Sequence, residues 1–225
     1  MAALPEKDNT VTRHSGEAPA KSAPPTGVIA PSKSSLAFVR RYTQTSLETL
    51  ARMPEAEIAR FIDLLKEARE RADQVFLCGN GGSAAMSSHL TGELGKEASR
   101  AGKRFRVVSL VDNIPWLTAI ANDEDYGQIF VEQLRNYACS GDLLIAFSCS
   151  GNSANVIAAV DWANQNELVT VGVTGTPGGQ LGQVAQHVIR VDSPHTGHIQ
   201  EGHFLIQHLV SYYFIDAPAG KGAPR

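Results

Sequence analysis

From Gln74 onward, short apolar runs alternate with stretches whose apolar residues recur every three or four positions. Continuous apolar runs are typical of strands buried on both faces, and the wider spacing is typical of amphipathic helices. The runs predict strands at 75–78, 105–111, 143–147, 169–174 and 188–191. Strands and helices that alternate in this way predict an α/β fold, a parallel sheet covered by helices on both faces.

The helical patterns fall between and after these runs. They lie at 84–94, 116–121, 126–137, 154–166 and 181–185, with a last long one from about Gln200 to Ile215. Two more helices are predicted between residues 35 and 73, and Pro54 stands where the second could begin. These two helices precede the first strand, so they must bury their apolar faces against the sheet domain or against another copy of the chain.

The 225 residues have room for one substantial domain with tails. Residues 1–34 scatter proline among Ser, Ala, Lys and Glu with almost no large apolar side chains, which predicts a disordered tail. The folded domain is predicted at 35–217, and 218–225 is predicted to be a flexible C-terminal tail.

Composition excludes several classes of protein. The net charge of −3 argues against a nucleic-acid binder, and no apolar run is long enough for a membrane-spanning helix. The N-terminus lacks the basic and apolar regions of a signal peptide. Cys78, Cys139 and Cys149 form no C-x-x-C pair, which argues against a disulfide framework or a cysteine zinc site and favours the reducing cytoplasm.

Two polar loops follow the first and third predicted strands, at 79–83 and 148–153. The carboxyl ends of parallel strands meet at one edge of a sheet, so both loops are candidates for one cleft. The first is rich in glycine and opens a helix, and the second carries three serines before the next helix. Backbone amides and hydroxyls at helix N-termini suit a phosphate or a polyol. Plain N-capping of the second helix by Ser153 or Asn152 is the alternative.

His89 and Glu93 lie four residues apart, about one turn beyond the first loop, so they share one helix face. An imidazole and a carboxylate beside a phosphate site indicate proton transfer or metal chemistry, although such a pair is also common on helix surfaces. The first loop also fits the dinucleotide pattern G-x-G-x-x-A. The acidic residue that such a site needs is misplaced, because Asp112 is thirty-three residues beyond Gly79, and the Gly-Lys-Ser/Thr of a nucleotide P-loop is missing.

Three segments carry a resemblance to a known family: Cys78-Gly-Asn-Gly-Gly-Ser-Ala-Ala, Ser148-Cys-Ser-Gly-Asn-Ser-Ala-Asn and Ile199-Gln-Glu-Gly-His203. They look like the sugar isomerase (SIS) domain and resemble most closely the phosphoheptose isomerases, over residues 36–216. The resemblance implies a three-layer sandwich around a five-stranded parallel sheet, and a homotetramer with active sites between subunits. It also implies conversion of sedoheptulose 7-phosphate to D-glycero-D-manno-heptose 7-phosphate.

The resemblance implies roles for individual residues. The metal and acid–base positions fall on His89, Glu93, Gln200 and His208, with one Zn²⁺ per subunit and with Glu93 and His208 catalytic. The implied substrate-binding residues are Asn80, Gly81, Gly82, Ser83, Asn122, Asp123, Ser148, Cys149, Ser150, Ser153 and Gln200. The chain departs from the pattern at Cys149, where threonine is common, at Glu97, where an arginine is expected, and at Gly197, where some members have aspartate.

Spacing adds a constraint, because Gln200 and His208 lie about 12 Å apart along a helix. One metal can meet both only if the side chains lean together or if one comes from a neighbouring subunit. His203 is expected to be structural, since it does not share a face with His208.

Two other functions remain open: a non-catalytic SIS protein that binds a partner such as the replication initiator, and an isomerase of another ketose phosphate. Glu93 and His208 are both present, which favours the enzyme.

Overall fold

The computed structural model describes residues 30–100 and 102–216. The chain divides into two compact units, Met1–Val39 and Arg40–Arg225. Of the first unit, residues 30–39 are described, and they contain the start of helix α1. All contacts discussed below lie within the second unit. The predicted tails fall largely outside the described residues, at 1–29 and at 218–225, and α1 begins at Lys33.

The helices and strands follow the predicted alternation. The helices are α1 Lys33–Leu50, α2 Glu55–Arg71, α3 Gly82–Gly92, α4 Ile114–Asp123, α5 Val131–Tyr137, α6 Ala154–Gln165, α7 Leu181–Val184 and α8 Thr196–Ile215. The strands are β1 Gln74–Gly79, β2 Arg106–Ser109, β3 Leu143–Ser148, β4 Val169–Gly175 and β5 His187–Val191. A π-helical turn (Glu93–Glu97) and a 3₁₀ turn (Ala98–Arg100) follow α3, and a second 3₁₀ turn (Tyr126–Gln128) precedes α5.

The five strands form one parallel sheet in the order β2-β1-β3-β4-β5. Gly79 at the end of β1 pairs with Phe147 of β3, and Ser148 pairs with Thr174 of β4. Strand β2 is added on one side of β1, and β3, β4 and β5 are added on the other side. Ligands of such sheets bind where the order of strands switches, here between β1 and β3, beyond the carboxyl ends of the strands. The predicted parallel sheet is confirmed, and the two polar loops lie side by side.

Both faces of the sheet are buried, which explains the continuous apolar strands. Alternate residues of β3 serve opposite faces: Ile145 packs with α2, α3 and α8, whereas Leu144 packs with α5, α6 and α7. Phe61 and Phe130 are anchors of the two cores and are almost fully buried. Burial of each such ring contributes roughly 1.5–3 kcal/mol. The molecule is therefore the predicted three-layer α/β sandwich.

Capping side chains set several helix boundaries that periodicity misplaced. α4 begins at Ile114, ahead of the predicted 116, because Asn113 Oδ1 accepts a hydrogen bond from the Trp116 amide. α8 begins at Thr196 rather than Gln200, because His195 Nδ1 accepts from the Gly197 amide.

The predicted helix at 126–137 is two elements. Asp125 caps a 3₁₀ turn at Tyr126–Gln128, and α5 starts at Val131. Among the described residues, none of the helices combines the length and apolar character needed to span a bilayer.

Candidate active site

A cleft of about 430 Å³ lies at the carboxyl ends of β1, β3 and β4 and at the start of α8. It brings together seven residues that the sequence predicted for substrate binding: Asn80, Ser83, Ser148, Cys149, Ser150, Ser153 and Gln200. Its other walls were not predicted, and they come from Phe147, the loop after β4 with Thr176 and Pro177, and the segment around Ser193 and Thr196. Sequence reasoning missed these walls because they carry no motif of their own.

The second polar loop, residues 148–153 and called the serine loop below, presents its hydroxyls to the cleft instead of capping α6. Ser153 occupies the N-cap position of α6 but makes no side-chain capping hydrogen bond. Its Oγ lies 3.2 Å from the Ser148 Oγ, and both face the cleft. Ser150 Oγ accepts a hydrogen bond from the Asn152 amide and also lines the cleft. Two lone pairs and a rotatable proton per hydroxyl leave this loop able to bind an anion.

Gly151 has to be glycine for two reasons. Its φ of +67° lies in the left-handed region, and an added Cβ would fall 1.9 Å from the Gly178 carbonyl oxygen of the loop after β4. The absence of a side chain therefore allows the loops after β3 and β4 to pack together and to close one wall of the cleft.

The glycines of the first loop shape the backbone instead of lining the cleft. Gly81 adopts φ +55° as the N-cap of α3. An added Cβ on Gly82 would lie 2.6 Å from Nε2 of Gln200. Gly82 therefore allows the Gln200 carboxamide to approach the first turn of α3 from α8.

Cys149 stands where the resemblance leads one to expect threonine. Burial raises the pKa of its thiol, and hydrogen bonds with Ser83 and Gln200 offset part of that rise. The thiol is therefore protonated near neutral pH, and it joins the first loop, the serine loop and α8.

His89, Glu93 and His208 come together between α3 and α8. His89 Nε2 lies 3.8 Å from Glu93 Oε1, and the His89 and His208 ring centroids are 5.7 Å apart. Phe204 packs against both imidazoles. Glu93 Oε2 is buried and has no hydrogen-bond partner among the described residues. A buried carboxylate oxygen that lacks a partner is costly, so it indicates a position meant for a ligand or a proton.

The donor set of His89, Glu93 and His208 suits zinc, which prefers imidazole nitrogen and carboxylate oxygen. In the part of the chain that the structure describes, no group of three His, Cys, Asp or Glu side chains is close enough to form a ready metal site. The fourth implied ligand, Gln200, lines the cleft and contacts Gly82. The residue types and the unpartnered oxygen fit a metal, but Gln200 lies away from the other three side chains within this chain.

Asn122 and Asp123 lie apart from the cleft. They occupy the exposed C-terminal end of α4, where Asn122 Nδ2 donates to Asp123 Oδ1 at 2.7 Å. Neither lines the cleft within this chain.

A polar network behind Asn80 was not predicted. The side chains of Asn80 and Asn155 exchange two hydrogen bonds of 2.8 and 2.9 Å, and the Tyr126 hydroxyl donates to Asn80 Oδ1 at 3.0 Å. Asn155 closes the Ser-Gly-Asn-Ser-Ala-Asn segment, so that segment could have drawn attention to it. Nothing in the local sequence of Tyr126 links it to the cleft.

Comparisons with known proteins agree with this geometry. The family model of the SIS domain matches residues 39–175. The phosphoheptose isomerase of Rhodospirillum rubrum is 34% identical over 181 residues, which cover 80% of this chain and 96% of that protein. The chain belongs to the phosphoheptose isomerase family of SIS-domain proteins. The family's member from Mycobacterium bovis is 40% identical over 69% of this chain and 80% of its own length.

A solved phosphoheptose isomerase extends the agreement to three dimensions. The structure from Neisseria gonorrhoeae superposes with a TM-score of 0.75 at 28% identity, covering 81% of this chain and 99% of that one. The family and fold predicted from the motifs are confirmed.

Within the phosphoheptose isomerase pattern, Glu97 replaces an expected arginine. It pairs with Lys96 at 2.9 Å and with Arg100 at 3.1 Å. Cationic side chains therefore stay beside this position.

Proposed function

We propose that this protein interconverts sedoheptulose 7-phosphate and D-glycero-D-manno-heptose 7-phosphate. Membership of the phosphoheptose isomerase family makes it an aldose–ketose isomerase. The observation that carries the assignment is the buried, unpartnered oxygen of Glu93 beside His89, with His208 near the same imidazole. The first turns of α3 and α8, the helices that lead to these residues, line a cleft rich in hydroxyls. Acid–base groups and a polyol-phosphate site are both needed, and the facing helices α3 and α8 supply the first and the hydroxyl-lined cleft the second.

The serine loop binds the phosphate in this proposal. Ser148, Ser150 and Ser153 provide hydroxyls at the N-terminal end of α6, where the helix dipole favours an anion. Ser83 and Asn80 face the same cleft from the first loop and contact the sugar hydroxyls. A phosphate held here leaves the carbonyl end of the sugar free to extend toward α3 and α8.

Glu93 and His208 move the protons. Isomerisation removes a proton from one carbon, passes through an enediol and returns a proton to the neighbouring carbon, with no net gain or loss. Glu93 takes and returns the carbon-bound proton, and His208 exchanges the proton between the two oxygens. The two residues reach the same imidazole, His89, from adjacent elements, so one substrate can meet both.

Zinc is the proposed cofactor, one ion per subunit. His89, Glu93 and His208 would hold it, and Gln200 would join either by leaning toward them from the cleft or from a neighbouring subunit. When bound, the ion would polarise the carbonyl and stabilise negative charge on the oxygens.

The proposed assembly is a homotetramer in the cytoplasm. α8 exposes Phe204, Leu209, Tyr212 and Tyr213, and an apolar groove of about 870 Å³ runs between α2 and α8. The groove includes His208, so burial against a second copy would enclose the site. Cys78, Cys139 and Cys149 are free thiols, which supports a reducing compartment.

The test is turnover of sedoheptulose 7-phosphate by the purified protein, followed directly by NMR. We expect Glu93→Gln and His208→Ala each to lower kcat by about 10² to 10⁴, because each removes a positioned acid or base. The matched controls are Glu97→Gln, which changes a half-buried carboxylate nearby, and His187→Ala on β5.

Near-normal turnover in either test variant would remove that residue from the mechanism. Preferred turnover of a pentulose or hexulose phosphate would reassign the substrate. No turnover of any ketose phosphate by the zinc-loaded protein would favour the non-catalytic, partner-binding alternative.

A further inference from the structure

The Asn80 side chain is fixed by hydrogen bonds to other residues of the protein in the absence of substrate. It follows β1 directly and lines the cleft. Asn80 Nδ2 donates to Asn155 Oδ1 at 2.8 Å, and Asn155 Nδ2 donates to Asn80 Oδ1 at 2.9 Å. A reciprocal pair of this kind fixes both the position and the plane of the carboxamide.

The backbone of α6 decides which way both amides face. The Val156 amide is shared between two acceptors, Asn155 Oδ1 and the Ser153 carbonyl, each at 3.0 Å. A backbone N–H only donates, so the atom in front of it has to be the carbonyl oxygen of Asn155. Asn155 is 2% exposed and cannot turn away. Its Nδ2 must therefore face Asn80, and the atom that receives it must be Asn80 Oδ1.

Tyr126 completes the arrangement from another element. Its hydroxyl donates to Asn80 Oδ1 at 3.0 Å from the 3₁₀ turn that Asp125 caps. Both lone pairs of Asn80 Oδ1 are then occupied, one by Asn155 and one by Tyr126. One of the two Asn80 Nδ2 protons is committed to Asn155. The cleft is left with one N–H donor and no acceptor from this side chain.

We propose that Asn155 and Tyr126 are positioning residues that present Asn80 to the substrate as a hydrogen-bond donor only. The substrate atom opposite Asn80 is then an acceptor, a carbonyl or hydroxyl oxygen of the sugar. This inference rests on the proposed function for the identity of the sugar, and the orientation of Asn80 rests on the network alone. An Asn80 freed from the network could rotate its carboxamide and offer the oxygen instead.

The principal test is a double-mutant cycle of Asn155→Asp and Asn80→Ala, in which substrate affinity and turnover are measured for each variant. Asn155→Asp keeps the shape and the acceptor for Val156, but it places an oxygen against Asn80 Oδ1. We expect it to weaken sedoheptulose 7-phosphate binding more than about ten-fold, since it loses one hydrogen bond and opposes two oxygens. In an Asn80→Ala background the same substitution should have little further effect. A role in stability alone would give the same loss in both backgrounds.

Tyr126→Phe provides a second variant on an exposed side chain, where folding is not at risk. We expect about a five-fold loss of affinity from one missing hydrogen bond, with the thermal midpoint unchanged. Tyr137→Phe is the matched control, since Tyr137 is similarly exposed and packs on Trp116 away from the cleft.

Calorimetry with sedoheptulose 7-phosphate in the Glu93→Gln background separates the network from catalysis. Coupled losses there, together with no turnover by the unmodified protein, would uphold the network and reject the isomerase. Normal turnover with affinities unchanged in Asn155→Asp and Tyr126→Phe would overturn the network and leave the isomerase standing. No binding of the sugar phosphate by any variant, together with no turnover by the unmodified protein, would overturn both.

Discussion

His203 and His208 lie five residues apart on α8, but His203 is buried in the core whereas His208 is half-buried and lines a surface groove. His203 is fully buried against Phe147, and neither ring nitrogen reaches a hydrogen-bond partner among the described residues. Burial lowers the pKa of His203 to about 4, and the nearby Thr174 backbone offsets only part of that effect. The imidazole is therefore neutral across the physiological range, and its place in the core agrees with the structural role expected from its spacing.

This burial predicts a pH-dependent loss of stability. In the unfolded chain His203 takes up a proton as the pH falls through its ordinary value of 6.5, whereas the folded protein resists protonation down to about 4. Stability contributed by the neutral ring is complete above pH 6.5 and is lost between 6.5 and 4, by up to roughly 3 kcal/mol. Denaturant unfolding at pH 7.5 and pH 5 measures this loss.

His203→Leu should unfold with a weaker dependence on pH over that window. His187→Leu is the control, since His187 is less buried and burial lowers its pKa less. An unchanged pH dependence in His203→Leu would assign the loss to other groups.

At the scale of elements, the proposed function has the serine loop and the start of α6 bind the phosphate, a part of the substrate that does not react. Ser150→Ala and Ser153→Ala should raise KM for the sugar phosphate more than they lower kcat, because a remote phosphate is held equally in the ground state and the transition state. Steady-state kinetics of the purified variants measures both constants. Ser140→Ala is the control, because Ser140 precedes β3 at the opposite edge of the sheet.

A loss confined to kcat would place these serines at the reacting carbons. Equal activity toward the unphosphorylated sugar would show that the loop does not bind phosphate.

At the scale of the whole molecule, the exposed face of α8 predicts assembly. A helix that is apolar on most sides must be buried on most sides, and one sheet domain covers only part of α8. Leu209→Glu puts a charge at a 43% exposed position on this face. We expect sedimentation at micromolar concentration to show a tetramer for the unmodified protein and smaller species for this variant, with reduced turnover because the groove includes His208.

Tyr137→Glu changes a large side chain elsewhere that is exposed to a similar degree, 52%, and it should leave both the mass and the turnover unchanged. A fully active monomer of the unmodified protein would refute the assembly.

Local patterns along the sequence determined much of this molecule. Period and composition predicted the five parallel strands, because a strand buried on both faces must be apolar at every position, as Leu144 and Ile145 are. The two polar loops could be assigned to one cleft because parallel strands end at one edge. Motifs that were short and contiguous identified the family.

Only the tertiary structure decided how distant residues meet. Asn80 bonds to partners 46 and 75 residues away, because β1 lies beside β3 in the sheet and Tyr126 returns over the same edge. The order of the strands is set by packing between elements, so it cannot be predicted from local periodicity. Packing between elements also explains why Gln200 lies in the cleft whereas His208, eight residues further along α8, lies beside His89. The sequence supplied the chemistry of these side chains, and packing of α3 against α8 decided which of them share a site.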